Sequence, residues 1–186
     1  MYLYLALEGV LHPIAFPNDV EPTLAMEAQR SSVLAQGARL AQVLGPFPEV
    51  RIVLNTWWSY YLGENACRKI LPRKLATRVV GCVLARPERW ESIPDRLLLA
   101  ERHINTHGLQ QCFVLDHIHA RYSKAVLSRV FLLQDPSRLH DSYTIDVIIG
   151  RLRALTPEHK RTRQDLSTEC GHKLINNSRQ APNTSC

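Results

Sequence analysis

The chain has 186 residues, of which 45% are hydrophobic and 22% are charged. This length fits one domain with a short extension, and the composition excludes wholesale disorder. A formal net charge of +6 is basic, but it lacks the dense stripe of a dedicated nucleic-acid binder. No apolar stretch reaches the roughly 18 residues that a bilayer-spanning helix needs, so no membrane partner is expected.

The cysteines predict a reducing environment. Their number is odd, and no two of them are spaced as in a CxxC motif, which excludes a zinc knuckle. Free thiols are typical of cytoplasmic proteins, and the cytoplasm is the expected location. The stretch before Glu8 has no basic region, so it does not resemble a signal peptide. The five positions are Cys67, Cys82, Cys112, Cys170 and Cys186.

Five short apolar runs predict strands that are covered on both faces of a sheet. They are Tyr2–Leu7, Arg51–Asn55, Val79–Leu84, Cys112–Leu115 and Val130–Leu133. Segments with helical spacing lie between and after them, with Asp141 as the N-cap of the last. These segments are Pro22–Leu44, Trp58–Leu71, Pro94–His107 and 142–155. The alternation of strands and helices predicts an α/β domain with a mostly parallel central sheet.

The last part of the chain differs from the rest in composition. Residues 151–186 carry seven basic and three acidic side chains, and they include few large apolar residues. Such a segment buries too little surface to offset its ordering entropy. The sequence therefore predicts a domain over 1–156 and a basic, flexible tail over 157–186. The KRTR cluster at 160–163 could contact phosphates, although a short basic cluster is more often a solvated surface.

Polar residues follow four of the predicted strands. They are Glu8-Gly9, Asn55-Thr56, Asp116-His117 and Gln134-Asp135-Pro136. Because the carboxyl ends of parallel strands meet at one sheet edge, these side chains are expected to lie together. Carboxylates, an amide and a hydroxyl at one edge would suit a hard cation and a phosphate. Asp, Asn and Gly also end strands simply because they form turns, and this second interpretation stays open.

Several segments resemble motifs of the haloacid dehalogenase (HAD) superfamily, in the branch found in Swiss Army Knife RNA repair proteins. LYLALEGVLHP resembles its first motif, RIVLNTWW its second and FVLDHIHARY its fourth. LPRKLATRVVGCV resembles the stretch after the second helix, and LLQDPSRLHDSYTIDVIIGRL resembles the closing segment. The similarity spans roughly residues 1–155. It implies a three-layer, Rossmannoid α/β domain. No large cap domain is expected, because one helical segment fills the gap between the first two motifs.

The resemblance also implies a chemistry. Active members use a first Asp as nucleophile toward phosphorus and a second Asp as general acid/base, and a fourth-motif Asp binds magnesium. The matching positions in this chain are Ala6, Glu8 and Asp116. A second-motif hydroxyl and a basic residue bind the phosphate. Asn55 or Thr56 matches the second-motif position. Arg96 matches the basic residue, with Arg89 as second choice.

The departure at Ala6 determines the expected function. A methyl group can neither attack phosphorus nor bind a cation, and Glu8 is one methylene longer than the usual Asp. We expect a catalytically degenerate domain that binds a phosphorylated small molecule, a nucleic-acid end or a protein partner. Magnesium binding by Asp116 and Glu8 is expected to be weak. One alternative is a divergent magnesium-dependent phosphohydrolase that uses Glu8 and Asp116, and another is a purely structural interaction module.

Other clusters have weaker functional interpretations. His117 and His119, with His140 or Asp116, could bind a metal ion, as could His103 and His107, but surface or capping roles are favoured. The aromatic run Trp57, Trp58, Tyr60 and Tyr61 could stack on a nucleobase. Core packing and a helix start are the favoured interpretation of this run. Cys112 is expected to be a buried, inert thiol.

Overall fold

A computed structural model of the chain describes residues 1–13, 34, 36–87, 94–107 and 110–156. These residues form one sheet of five parallel strands in the order β3-β2-β1-β4-β5. The strands are β1 (Tyr2–Leu5), β2 (Arg51–Leu54), β3 (Val79–Cys82), β4 (Cys112–His117) and β5 (Val130–Leu133). The predicted α/β class with a parallel central sheet is therefore confirmed.

Six α-helices lie within the described residues. They are α1 (Gly37–Val43), α2 (Trp57–Leu62), α3 (Glu64–Ile70), α4 (Arg73–Ala76), α5 (Arg96–Thr106) and α6 (Ser142–Leu155). Asp141 caps α6 as predicted, since its carboxylate accepts a hydrogen bond from the N–H of Thr144 at 3.3 Å. Asp95 caps α5 in the same way and accepts from the N–H groups of Leu97 and Leu98.

The helices cover both faces of the sheet, which gives the three layers implied by the resemblance. Leu3 and Leu5 of β1 belong to the larger buried apolar cluster, together with residues of α1 and α6. Tyr4, between them in the sequence, belongs to a second cluster with Ala100 and Ile104 of α5. Because successive side chains of a strand point to opposite faces, two covered faces require the continuously apolar runs that the sequence contains.

The helix predicted over Trp58–Leu71 is instead two helices, α2 and α3. Gly63 separates them with a φ of +84°. Its N–H bonds to the carbonyl of Ser59 at 3.0 Å and ends α2. Positive φ values are accessible to glycine at little cost, so the chain turns here rather than continuing one helix. The spacing of apolar residues carries no information about this break.

Strand boundaries also differ from the prediction. The first strand ends at Leu5 rather than Leu7, and a tight loop follows in which the carbonyl of Leu7 accepts three backbone N–H groups. Their donors are Val10, Leu11 and His12, at 3.3, 2.9 and 3.0 Å. Strand β4 is longer than predicted, so Asp116 lies within it, paired with Leu132 of β5. Both changes leave the acidic residues at the carboxyl edge of the sheet.

Some predictions concern residues outside the described ranges. These are most of the segment Pro22–Leu44, the alternative basic residue Arg89 and the tail over 157–186. Where the chain is described, no helix combines the length and the apolar character needed to cross a membrane.

Candidate functional site

The candidate site lies where the strand order changes direction. The chain builds the sheet outward from β1 through β2 and β3 on one side, then through β4 and β5 on the other. In open parallel sheets, ligands bind at such a switch point, beyond the carboxyl ends of the strands. Side chains from four different segments meet there, and none is more than 4% exposed. They are Glu8, Asn55, Thr56, Arg96 and Asp116.

Arg96 is the cation at the centre of this group. Its Nη1 donates to Oδ2 of Asp116 at 2.7 Å, and its Nη2 donates to Oδ1 at 3.2 Å. Nη1 also donates to the main-chain carbonyl of Asn55 at 2.8 Å. Burial disfavours the charged guanidinium, but Asp116 and then Glu8 outweigh it and raise the pKa of Arg96 above its ordinary value. The guanidinium therefore remains charged inside the domain.

Glu8 accepts hydrogen bonds from two different segments. The Thr56 hydroxyl donates to Oε2, and the main-chain N–H of Trp57 donates to Oε1 at 3.2 Å. Nε of Arg96 lies 3.6 Å from the same Oε1. The pKa of Glu8 is raised by burial, and Arg96 and the Thr56 hydrogen bond offset only part of that shift. Three donor groups thus converge on one buried carboxylate.

Tyr122 is a member of the site that the sequence analysis missed. Its hydroxyl donates to Oδ2 of Asp116 at 2.7 Å and accepts from Nδ2 of Asn55 at 2.7 Å. Burial, followed by the negative charge of Asp116, raises the pKa of Tyr122, so the phenol keeps its proton. The main-chain N–H of His117 completes the contacts of Asp116, donating to Oδ1 at 2.8 Å. Only proximity within the motif FVLDHIHARY could have indicated this tyrosine.

The residues predicted to bind phosphate do not all face the same partner. The Thr56 hydroxyl and the Nε edge of Arg96 both face Glu8. Asn55 instead directs its side-chain N–H toward Tyr122. Its Oδ1 is buried and accepts no hydrogen bond from the part of the chain that is described. Of the three residues, Thr56 and Arg96 share a location suited to an anion.

Ala6, at the predicted nucleophile position, offers no reactive atom. It is fully buried, and it belongs to the larger apolar cluster of the core. The nearest carboxylate along the chain is Glu8, whose two oxygens are already engaged by Thr56, Trp57 and Arg96.

The residues present do not fit a magnesium ion in this arrangement. Magnesium usually binds through one or two carboxylates and the substrate phosphate, with several waters retained. Both oxygens of Asp116 contact Arg96, one also contacts Tyr122, and the other contacts the N–H of His117. No group of three or more His, Cys, Asp or Glu residues within the described ranges could hold a metal ion. The cation that both carboxylates contact is the guanidinium of Arg96.

The histidines of the other clusters have hydrogen-bonding partners of their own. Nδ1 of His103 bonds with the hydroxyl of buried Tyr4 at 2.7 Å, and the ring of His103 stacks on that of His107 at 4.2 Å. Nδ1 of His117 accepts from the N–H of His119 at 3.2 Å. These contacts favour the structural interpretation that the sequence analysis preferred.

The aromatic run after β2 forms a helix and part of the core. Helix α2 begins at Trp57, and both Trp58 and Tyr60 are buried. The expected helix start is therefore confirmed, and core packing is confirmed for Trp58 and Tyr60, whereas Trp57 and Tyr61 are partly buried. The cap of α2 is Thr56, whose hydroxyl accepts from the N–H of Trp58 at 3.2 Å.

The fold and the site define an α/β domain that carries ionic residues at the switch point of a doubly wound parallel sheet. The chain belongs to a specific family of this class, the HAD domain in Swiss Army Knife RNA repair proteins, whose sequence profile matches residues 2–138. The predicted resemblance is confirmed by this match. Comparisons with curated proteins and with solved structures gave no match.

Proposed function

We propose that this chain is a catalytically degenerate HAD domain that binds a phosphorylated ligand, such as a nucleic-acid end, without hydrolysing it. One observation carries the proposal. Donors from Thr56, Trp57 and Arg96 converge on one buried anion, while the nucleophile position holds only the methyl group of Ala6. Hydroxyl, main-chain N–H and guanidinium groups are the donors that phosphate oxygens accept from. Membership of a family from RNA repair proteins supports a phosphoester as the ligand.

The absence of turnover follows from two features of the site. A covalent route through phosphorus needs a nucleophile at the position of Ala6, and alanine has none. The fourth-motif carboxylate, Asp116, is bound by Arg96 through both of its oxygens. Releasing this buried carboxylate for a metal ion would break both of its hydrogen bonds with the guanidinium and leave only Glu8, at 3.6 Å, beside that buried charge, which is unfavourable.

The alternative function is a magnesium-dependent phosphohydrolase that uses Glu8 and Asp116. Its support is that both carboxylates contact the same guanidinium and so lie in one site. In this reaction Arg96 would have to release Asp116 to magnesium and Glu8 to the phosphoryl group. The arrangement of hydrogen bonds makes this alternative the less favoured of the two.

The test combines hydrolysis and binding. Native protein and Glu8→Gln are assayed with an aryl phosphate, with and without magnesium. Binding of a 5′-phosphorylated oligoribonucleotide is compared with that of its 5′-hydroxyl counterpart. We expect no magnesium-dependent turnover and tighter binding of the phosphorylated strand. Magnesium-dependent hydrolysis that is lost in Glu8→Gln would establish the alternative, and equal binding of both strands would reject phosphate recognition.

We also propose the cytoplasm as the compartment, on the evidence of the thiols. The cysteines that the structure describes, Cys67, Cys82 and Cys112, are free. Burial raises the pKa of Cys67 to about 12 and that of Cys82 to about 11, so these thiols stay protonated and unreactive. Retained free thiols support a reducing environment.

A further inference from the structure

We infer that Glu8 is a built-in anion that occupies the phosphate-binding position and must move away before a ligand can bind. The anion cradle consists of the Thr56 hydroxyl, the main-chain N–H of Trp57 and the Nε edge of Arg96. This inference rests on the proposed function, because it concerns how that same site admits its ligand.

The contacts of Glu8 are those of a bound anion. One carboxylate oxygen accepts from Thr56, and the other accepts from Trp57 and faces Arg96. The residue is only 1% exposed, so its carboxylate is shielded from bulk water. A carboxylate and a phosphoryl group present similar negatively charged oxygens to N–H and O–H donors. The cradle therefore holds either Glu8 or a phosphate, and not both at once.

The charges at the site also disfavour the presence of Glu8 and a phosphate in the cradle at the same time. Two carboxylates, Glu8 and Asp116, share a single guanidinium. A phosphate placed beside Glu8 would meet a like charge in a buried setting, which is unfavourable. Displacing Glu8 removes that repulsion. The ligand and the side chain consequently compete for the same positive charge.

The binding of Asp116 does not depend on Glu8. Arginine has five N–H donors arranged around a plane. Asp116 and the Asn55 carbonyl use donors on Nη1 and Nη2, whereas Glu8 lies against Nε. Because Asp116 and Glu8 contact different N–H groups of Arg96, a phosphate can replace Glu8 while Arg96 stays paired with Asp116. The cradle is thus positioned before the ligand arrives.

The ligand that fits is a phosphate monoester. Its terminal oxygens can accept from all three donors, and the energy of displacing Glu8 must come from further contacts with the rest of the ligand. Inorganic phosphate lacks such contacts and should bind the native chain weakly. A phosphorylated strand end has them.

The experiment measures phosphate affinity by calorimetry in native protein, Glu8→Ala and Glu8→Gln, with far-UV circular dichroism to verify folding. The titrants are inorganic phosphate and a short 5′-phosphorylated oligoribonucleotide. We expect Glu8→Ala to bind at least about tenfold more tightly than native protein, because the like charge is gone. Glu8→Gln, which keeps the shape but loses the charge, should show a smaller gain. Adding Thr56→Val to Glu8→Ala should remove most of the gain.

The outcomes separate this inference from the proposed function. Equal affinity of native protein and both variants for the phosphorylated strand would overturn the role of Glu8 and leave phosphate binding intact. No binding by any folded protein would overturn both. A gain for both titrants supports recognition of the phosphoryl group itself, and a gain confined to the oligoribonucleotide supports recognition of a strand end. If Glu8→Ala does not fold, the comparison of native protein with Glu8→Gln decides.

Discussion

Arg96 and Asp116 form a buried, two-point ion pair, with Nη1–Oδ2 at 2.7 Å and Nη2–Oδ1 at 3.2 Å. Such a forked geometry is the strongest form of charge-assisted hydrogen bonding available to arginine. The pair connects the start of α5 to β4 across the carboxyl edge of the sheet. It also binds the acidic residue that the family resemblance assigned to magnesium. The pair thus links α5 to β4 inside the domain.

Arg96→Met should destabilise the domain strongly. The variant leaves the buried carboxylates without a counter-charge, and breaking a buried pair in this way costs about 3–5 kcal/mol. The free energy of unfolding is measured by urea denaturation. Arg138→Met is the matched control, because Arg138 pairs at 4.0 Å with Asp135 where both side chains are about half exposed. The control should lose less than about 1 kcal/mol. Equal losses in the two variants would contradict the structural role of the buried pair.

Tyr122→Phe should cost about 1–3 kcal/mol of unfolding free energy. The change removes a hydrogen-bond donor to Asp116 and an acceptor for Asn55, and both partners are buried. Tyr143→Phe is the control, since Tyr143 is 72% exposed and should change stability by less than about 0.5 kcal/mol. A Tyr122→Phe variant as stable as this control would indicate that the hydroxyl contributes little to the site.

Much of the fold and part of the site followed from the sequence. Continuous apolar runs predicted a parallel sheet because strands covered on both faces have no polar side to expose. The rule that strand ends share one edge then placed Glu8, Thr56 and Asp116 together. In the structure Thr56 donates to Glu8, and Arg96 joins Glu8 to Asp116 by contacting both carboxylates.

The partners within that group were not predictable. Motif spacing left the basic residue open between Arg96 and Arg89, and pairing with Asp116 depends on how α5 approaches the sheet. Tyr122 lies in the loop after β4, where no periodicity constrains which side chain turns inward. The position of Gly63 likewise gave no sign that its φ would be positive. Such features depend on tertiary contacts rather than on local pattern.

Gly9→Ala should destabilise the domain, whereas Gly150→Ala should not. Gly9 has a φ of +67°, and a Cβ atom there would lie 2.4 Å from Cβ of His117. The left-handed conformation alone costs a residue with a side chain roughly 1–2 kcal/mol, and the clash adds to this. Gly150 lies in α6, and outside its chain neighbours and the backbone of that helix an added Cβ would meet nothing within 4 Å, so alanine should stabilise the helix by about 0.5–1 kcal/mol. Thermal unfolding of the two variants checks the opposite signs, and a tolerated Gly9→Ala would contradict the close packing on His117.

The stability of the domain should fall at mildly acidic pH through His103. The Tyr4 hydroxyl and Nδ1 of His103 form a hydrogen bond of 2.7 Å. Burial, followed by the proximity of His107, lowers the pKa of His103 from its ordinary value of 6.5. The unfolded chain then binds a proton more readily than the folded domain, so this contribution is present above pH 6.5 and is lost as the pH falls below it. The unfolding free energy of native protein should therefore drop more steeply than that of His103→Gln between about pH 7.5 and about pH 5.5. Parallel pH profiles for the two proteins would show that His103 does not carry this dependence.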